Sequence, residues 1–254
     1  MPANDDGFPD GARTAAQALI ALPGTGSDAV FIQRAFGPIC AALDIELIAL
    51  NPGDDLIAEH RSHLADTAAA YERVLVGGVS IGAALALEWA LTAHPEHCAG
   101  VWAALPAWSG PASAALAAAS AAATAAALRR DGLESTVTSM AQSSPPWLAA
   151  ELTRSWRALY PGLIDQLEQA SRYAAPTIAE IGSLRVPLSL VAAPDDPLHP
   201  LVVAQQWTAA APSSQLSCVA LSDWGQQPTL LGQMCARGWA SLVGQERSAG
   251  EATP

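Results

Sequence analysis

Short, almost continuously apolar runs recur along this chain, separated by segments long enough for a helix, and this alternation limits the available folds more than any other feature. Ala18–Leu22, Glu46–Leu50, Arg73–Gly77, Gly100–Leu105, Pro187–Ala192 and Leu216–Leu221 read as strands. Their lack of a polar face is expected of strands covered on both sides. Ala29–Leu43, Arg61–Tyr71, Ile81–His94, His199–Ala211 and Thr229–Val243 read as helices between them. Strand–helix alternation predicts an α/β fold in three layers, a mostly parallel sheet with helices on both faces. In such a sheet ligands gather at the carboxyl ends of the strands.

The alternation lapses once. From Ser109 to Leu184 there is no convincing strand, only helix-forming sequence broken at Gly132, Ser143–Pro146, Pro161–Gly162 and Pro176. Ala114–Arg130 is helical on propensity alone, and Trp147, Leu148, Trp156, Leu159, Tyr160 and Leu163 give its neighbours an apolar face. The expected division is therefore a flexible N-terminus (1–16), a sheet core (17–108 and 185–244), a helical cap insertion (109–184) lying over the carboxyl edge, and a loose tail (245–254).

Charge and cysteine usage remove whole classes of function. Lys plus Arg number 12 against 24 Asp plus Glu, a formal charge of −12 that repels nucleic acid and anionic lipid. Cys40, Cys98, Cys218 and Cys235 stand singly and read as buried small hydrophobes, and no histidine cluster has metal-ligand spacing. The polar start lacks a secretory pattern and no run of about 18 apolar residues occurs, so a cytoplasmic protein without a membrane span is expected. There is no dinucleotide fingerprint and no phosphate loop, so neither a cofactor nor a metal is expected.

One motif carries chemistry. Val74–Leu87 reads as strand, tight turn and helix, and holds Gly78-Val79-Ser80-Ile81-Gly82, a G-x-S-x-G. The turn would project Ser80 from the sheet as a nucleophile, with Gly78 and Gly82 clearing space where backbones approach. Ile81 opens the helix, so its unpaired N–H points near the serine oxygen, where an oxyanion would form.

With this motif the chain resembles the α/β-hydrolase superfamily over nearly its whole length. The resemblance implies an oxyanion loop at Leu22-Pro23-Gly24-Thr25-Gly26, with Pro23-Gly24 in place of His-Gly and Thr25 supplying the second N–H. It also implies an acid turn at Ala193–Pro200, in which the spacing to Pro200 marks Asp196 as the carboxylate and leaves Asp195 to cap the following helix. The family's base, a histidine, is expected in the loop after the last strand. Here that loop is Ser222–Pro228, with Gln226 where the histidine should stand, and no histidine follows His199. A glutamine amide cannot take the serine proton, though it can hold a water or a carbonyl.

The other histidines are weighed as substitutes. His199 lies three residues beyond Asp196 and either swings toward Ser80 or satisfies its own turn. His60 and His63 read as exposed residues opening a helix, and His94 and His97 fall at the opposite edge of the sheet. Gly24, Trp108, Trp224 and Gln226 are expected to contact substrate, with Trp147 and Trp156 in the cap and Trp89, Trp207 and Trp239 in the core.

The expected activity is thus that of a carboxylic ester hydrolase, acting on a small, largely apolar ester, thioester or lactone through Ser80 and Asp196 with a non-standard or incomplete triad. Two alternatives stay open: a lyase, cyclase or isomerase that uses the oxyanion hole, and a ligand-binding member without catalysis. The partner in each case is a small molecule, and oligomeric state is unreadable.

Overall fold

The computed structural model describes residues 16–251, so the expected flexible N-terminus lies outside the described residues except for Ala16. Six strands form one all-parallel sheet: β1 (Ala18–Leu22), β2 (Glu46–Ala49), β3 (Val74–Val79), β4 (Cys98–Ala104), β5 (Leu188–Ala192) and β6 (Ser214–Cys218), in the order β2-β1-β3-β4-β5-β6. Alternate side chains serve opposite layers. Ala18, Ile20 and Leu22 enter one core and Leu19 and Ala21 the other. The helices α1 (Ala29–Ala42) and α11 (Thr229–Glu251) cover one face, and α2 (Leu56–Ala68), α3 (Ile81–Thr92) and α9 (Leu201–Ala210) the other.

Strand positions follow the apolar runs, with β4 and β6 each starting two residues earlier than expected. The residues after β6 form the short helix α10 (Leu221–Gln226) rather than the expected open loop. Cys218 corrects the expectation of four buried cysteines. As the last residue of an edge strand it is exposed, whereas Cys40, Cys98 and Cys235 are buried. The expected tail at 245–254 also starts later, because α11 continues through Glu251 and 252–254 lie outside the described residues.

Between β4 and β5 stand four helices, α4 (Leu116–Asp131), α5 (Leu133–Ser143), α6 (Pro146–Leu159) and α7 (Leu163–Arg172). Their ends fall at the glycine and proline breaks. Ala121, Ala125, Leu128, Val137, Trp156, Leu163 and Leu167 form a core of their own. Small alanines on α4 let α7 pack closely against it. At the base of this helical insertion Ala175 N–H donates to Gly110 O (2.9 Å) and Gly110 N–H to Pro176 O (3.2 Å), tying entry to exit. A fifth helix, α8 (Ile178–Ile181), packs on α9 with Ile181 in the sheet core, so the separate helical core ends with α7 at Arg172.

The largest local departure concerns His60. The expected start of α2 at Arg61 makes His60 an exposed helix-start residue, but α2 begins at Leu56, capped by Asp55 accepting from Ala58 N–H (3.2 Å). The earlier start puts Leu56, His60, Leu64 and Ala68 on one buried stripe at intervals of four. His60 is fully buried, and neither ring nitrogen has a partner among the described residues. His63, three residues on, is exposed as expected.

Candidate active site

The strand order reverses between β1 and β3, and the chain leaves both strands there at their carboxyl ends. This is where an open parallel sheet forms its crevice. The β1 exit supplies Gly24–Asp28 and the β3 exit supplies Ser80. Ser80 has φ 56° and ψ −117°, a backbone that non-glycine residues rarely adopt. It is held by Ser80 N–H donating to Ala104 O (2.9 Å) and Ala84 N–H donating to Ser80 O (3.2 Å). Strain of this kind costs about 1–3 kcal/mol and persists only where the surroundings enforce it.

The flanking glycines are what allow the turn. A Cβ on Gly78 would strike Leu22 O and come within 2.8 Å of the Gly82 carbonyl carbon. One on Gly82 would strike Leu22 O and lie 2.6 Å from Pro23 O. All these neighbours are backbone and cannot step aside. Gly78→Ala is therefore expected to cost about 3 kcal/mol, the upper end for overpacking, lowering Tm by roughly 6–12 °C in a thermal melt. An unchanged Tm would show that the β1 exit is free to move.

The sequence leaves open what His199 does, and the geometry answers it. Ser80 Oγ–H donates to His199 Nε2 at 3.0 Å, and His199 Nδ1–H donates to Asp196 Oδ2 at 2.7 Å. Asp196 uses its other oxygen to accept Leu198 N–H (2.9 Å) and His199 N–H (3.3 Å), so one carboxylate both shapes the turn and orients the ring. Burial alone would raise the Asp196 carboxyl. The His199 hydrogen bond and charge, with the two N–H donors, hold it below the ordinary carboxylate value. Of the two possibilities for His199, the turn toward Ser80 is the one the structure shows, with the carboxylate and the imidazole three residues apart in one turn.

Gln226 is corrected too. It sits exposed on α10, outside the cavity, and contacts nothing at Ser80. Asp195 does not cap the helix after Pro200; its Oδ1 accepts Leu221 N–H (2.8 Å), the first residue of α10. That bond draws the segment after β6 into a helix. Gly225 then faces Trp147 of α6, whose ring occupies the place a side chain there would take. Trp147 and Trp224 meet edge to face with centroids 5.0 Å apart. Sequence reasoning missed this because the helix signal is only six residues long.

Ser80, Asp196 and His199 lie at the wall of a cavity of about 440 Å³. Gly24, Thr25, Trp108 and Trp224, all expected at the site, line it, as do Phe31, Leu105, Trp147, Leu148, Leu152 and Trp156. Trp108 is fixed by donating from Nε1 to Tyr173 O (3.2 Å). Trp207 and Trp239 are fully buried in the cores, while Trp89 is only partly buried. Gly24 approaches so closely that a Cβ would sit 3.4 Å from Ser80 Cβ. The Thr25 and Ile81 N–H groups have no acceptor among the described residues.

The cavity holds one charged group sequence reasoning did not single out. Glu151 is paired to Arg34 (2.6 Å) and to Arg154 (2.5 Å), and Arg154 also grips Asp28 through two bonds of 2.7 and 2.8 Å. Arg34 lies 117 residues from Glu151, and Asp28 lies 126 from Arg154, so no local pattern announces these two pairings. Among the described residues no group of three or more His, Cys, Asp or Glu could hold a metal ion, and no helix is long and apolar enough to cross a membrane.

No family model matches the chain, and no curated protein matches it in sequence. Many solved structures do match in shape. An esterase from Thermogutta terrifontis, solved with malate bound, aligns at 16% identity over 86% of this chain and 87% of its own, with a TM-score of 0.64. A putative non-heme bromoperoxidase, BpoC, from Mycobacterium tuberculosis aligns at 17% identity over 89% and 92%, with a TM-score of 0.65. An esterase from Exiguobacterium antarcticum aligns at 10% identity over 87% and 92%, with a TM-score of 0.66. At such identities the likeness establishes a shared fold.

Proposed function

We propose that this chain, which has the α/β-hydrolase fold, is a serine hydrolase acting on small, uncharged, largely apolar carboxylic esters, thioesters or lactones. The observation that carries the reading is the unbroken relay from Ser80 to His199 to Asp196, at 3.0 and 2.7 Å, in the wall of an apolar cavity. An imidazole within reach of Ser80 favours this reading over ligand binding without catalysis.

The relay assigns each proton. Asp196 accepts from Nδ1, which leaves Nε2 as the acceptor for the Ser80 hydroxyl. As Oγ attacks the substrate carbonyl carbon, its proton passes to Nε2 and the carbonyl oxygen becomes an oxyanion facing Thr25 and Ile81 N–H. The bond to the leaving alcohol, thiol or lactone oxygen breaks as Nε2 returns the proton to it. Water then gives a proton to Nε2 while its oxygen attacks the acyl carbon. Ser80 regains its proton as the acid departs.

Charge supports the substrate class. Charge on the cavity wall is matched: Asp196 is taken by His199, Glu151 by Arg34 and Arg154, and nearby Asp28 by Arg154, so no unpaired carboxylate awaits an ionic substrate there. The names of two structural neighbours, both esterases, agree with this reading. A fluorophosphonate probe tests it. Ser80 is expected to be the labelled serine at neutral pH, and Ser80→Ala to abolish both labelling and hydrolysis of p-nitrophenyl butyrate. Absence of labelling in the folded wild type would remove the hydrolase reading.

A further inference from the structure

The cap does more than roof the cavity. Residues 24–27 form a turn closed by Ser27 N–H donating to Gly24 O (3.0 Å), with Gly26 at φ 73° in its third position. That geometry belongs to a turn with glycine after Thr25, and it presents the Thr25 N–H. The next residue, Asp28, caps α1 by accepting Val30 N–H (3.0 Å) and Phe31 N–H (3.4 Å).

Three consecutive residues of cap helix α6 hold this segment. Arg154 takes both oxygens of Asp28 at 2.7 and 2.8 Å. Ser155, fully buried, donates from Oγ to Gly26 O at 2.7 Å. Trp156 lies so near Gly26 that a Cβ there would sit 2.8 Å from its Nε1. Glu151, one turn earlier, locks Arg154 from its other side and is itself held by Arg34 of α1. A cap that merely covered the site would need apolar contact alone. Here one buried and two part-buried polar bonds converge on the turn that carries the Thr25 donor.

We propose that α6 sets the oxyanion turn, with Arg154 and Ser155 as positioning residues that hold the Thr25 N–H where the developing oxyanion needs it. The inference rests on the hydrolase reading above. The cap position would then govern the chemical step as well as substrate access, because a small displacement of a donor is felt more by the transition state than by the bound ester.

The experiment compares wild type with Ser155→Ala, Arg154→Met, Arg154→Lys and, as a control on the same helix, Arg157→Gln, whose exposed partner Glu134 lies on α5. For p-nitrophenyl butyrate, kcat is expected to fall about tenfold in Ser155→Ala and ten- to a hundredfold in Arg154→Met, with KM within about twofold. Arg154→Lys keeps the charge without the paired geometry and should recover part of the loss. Arg157→Gln should match wild type.

A trifluoromethyl ketone supplies the readout that loosened packing would not move. Ser80 Oγ adds to its carbonyl carbon, the proton goes to His199, and the adduct carries an oxyanion. Its Ki should rise in step with the loss of kcat/KM, while Ki for the matching methyl ketone stays constant. Equal weakening of both ketones, a rise in KM alone, or unchanged kcat in folded Ser155→Ala and Arg154→Lys would each overturn the proposal. If wild type itself neither labels nor turns over, the hydrolase reading fails first and takes this one with it.

Discussion

Replacing His199 by alanine is expected to lower kcat/KM for p-nitrophenyl butyrate by about 10⁴–10⁶-fold, and replacing Gln226 by alanine to leave it within about twofold. The size of the first effect is that of removing the general base from a serine relay, where the residual rate comes from binding and the oxyanion donors. Ser80 and His199 act as one unit, so the double variant should be scarcely worse than either single one. The second expectation follows from Gln226 lying exposed on α10, away from the cavity. For the same reason Gln226→His should bring no gain. Steady-state kinetics on the purified variants checks all of these. A His199→Ala protein that retains a tenth of the wild-type rate, or a Gln226→His protein that gains tenfold, would return the base to the segment after β6.

The histidine that faces Ser80 shows where sequence reasoning reached its limit. Ser80 was legible because its chemistry requires a local strand–turn–helix pattern, and every part of that pattern lies within a dozen residues. The helical insertion between β4 and β5 was legible in the same way: Gly132, Ser143–Pro146 and Pro161–Gly162 break helices wherever they occur, and the helix ends fall at them. The Asp196–His199 pair has no such signature. Whether an imidazole three residues from a carboxylate turns toward a serine 119 residues away depends on how β3 and β5 are placed in the sheet. The same holds for Arg154 and Asp28, 126 residues apart, whose meeting depends on how α6 docks. A single sequence states local propensities, and long-range pairings are decided by packing.

His60 was misread for a smaller reason with a measurable consequence. Asp55 caps α2, and a start at Arg61 instead of Leu56 turns a buried stripe into an exposed end. Burial pushes the His60 imidazole down from 6.5 to about 4, with the exposed neighbour His63 adding to the shift and Glu59 opposing it. An unfolded chain therefore binds a proton at this residue between those two pH values while the folded one does not. The stabilisation is complete above about pH 6.5 and is lost as the pH falls toward 4. At ~1.4 kcal/mol per unit the loss approaches about 3 kcal/mol, a large share of a domain's stability. Asp28 and Asp196, both held below their ordinary values, lose their contributions at lower pH, so the His60 window stands apart from theirs. Urea titrations followed by tryptophan fluorescence should show ΔG falling from pH 7 to pH 4.5 in wild type. In His60→Leu the decline should largely vanish, because leucine continues the Leu56 and Leu64 stripe and leaves no unpaired ring nitrogen in the core. A variant whose ΔG falls with pH as steeply as the wild type would place the acid sensitivity elsewhere. If the expected result is found, a histidine that takes no part in the Ser80 relay sets the acid limit of the fold, while His199, partly exposed in its turn, works at the surface of the cavity.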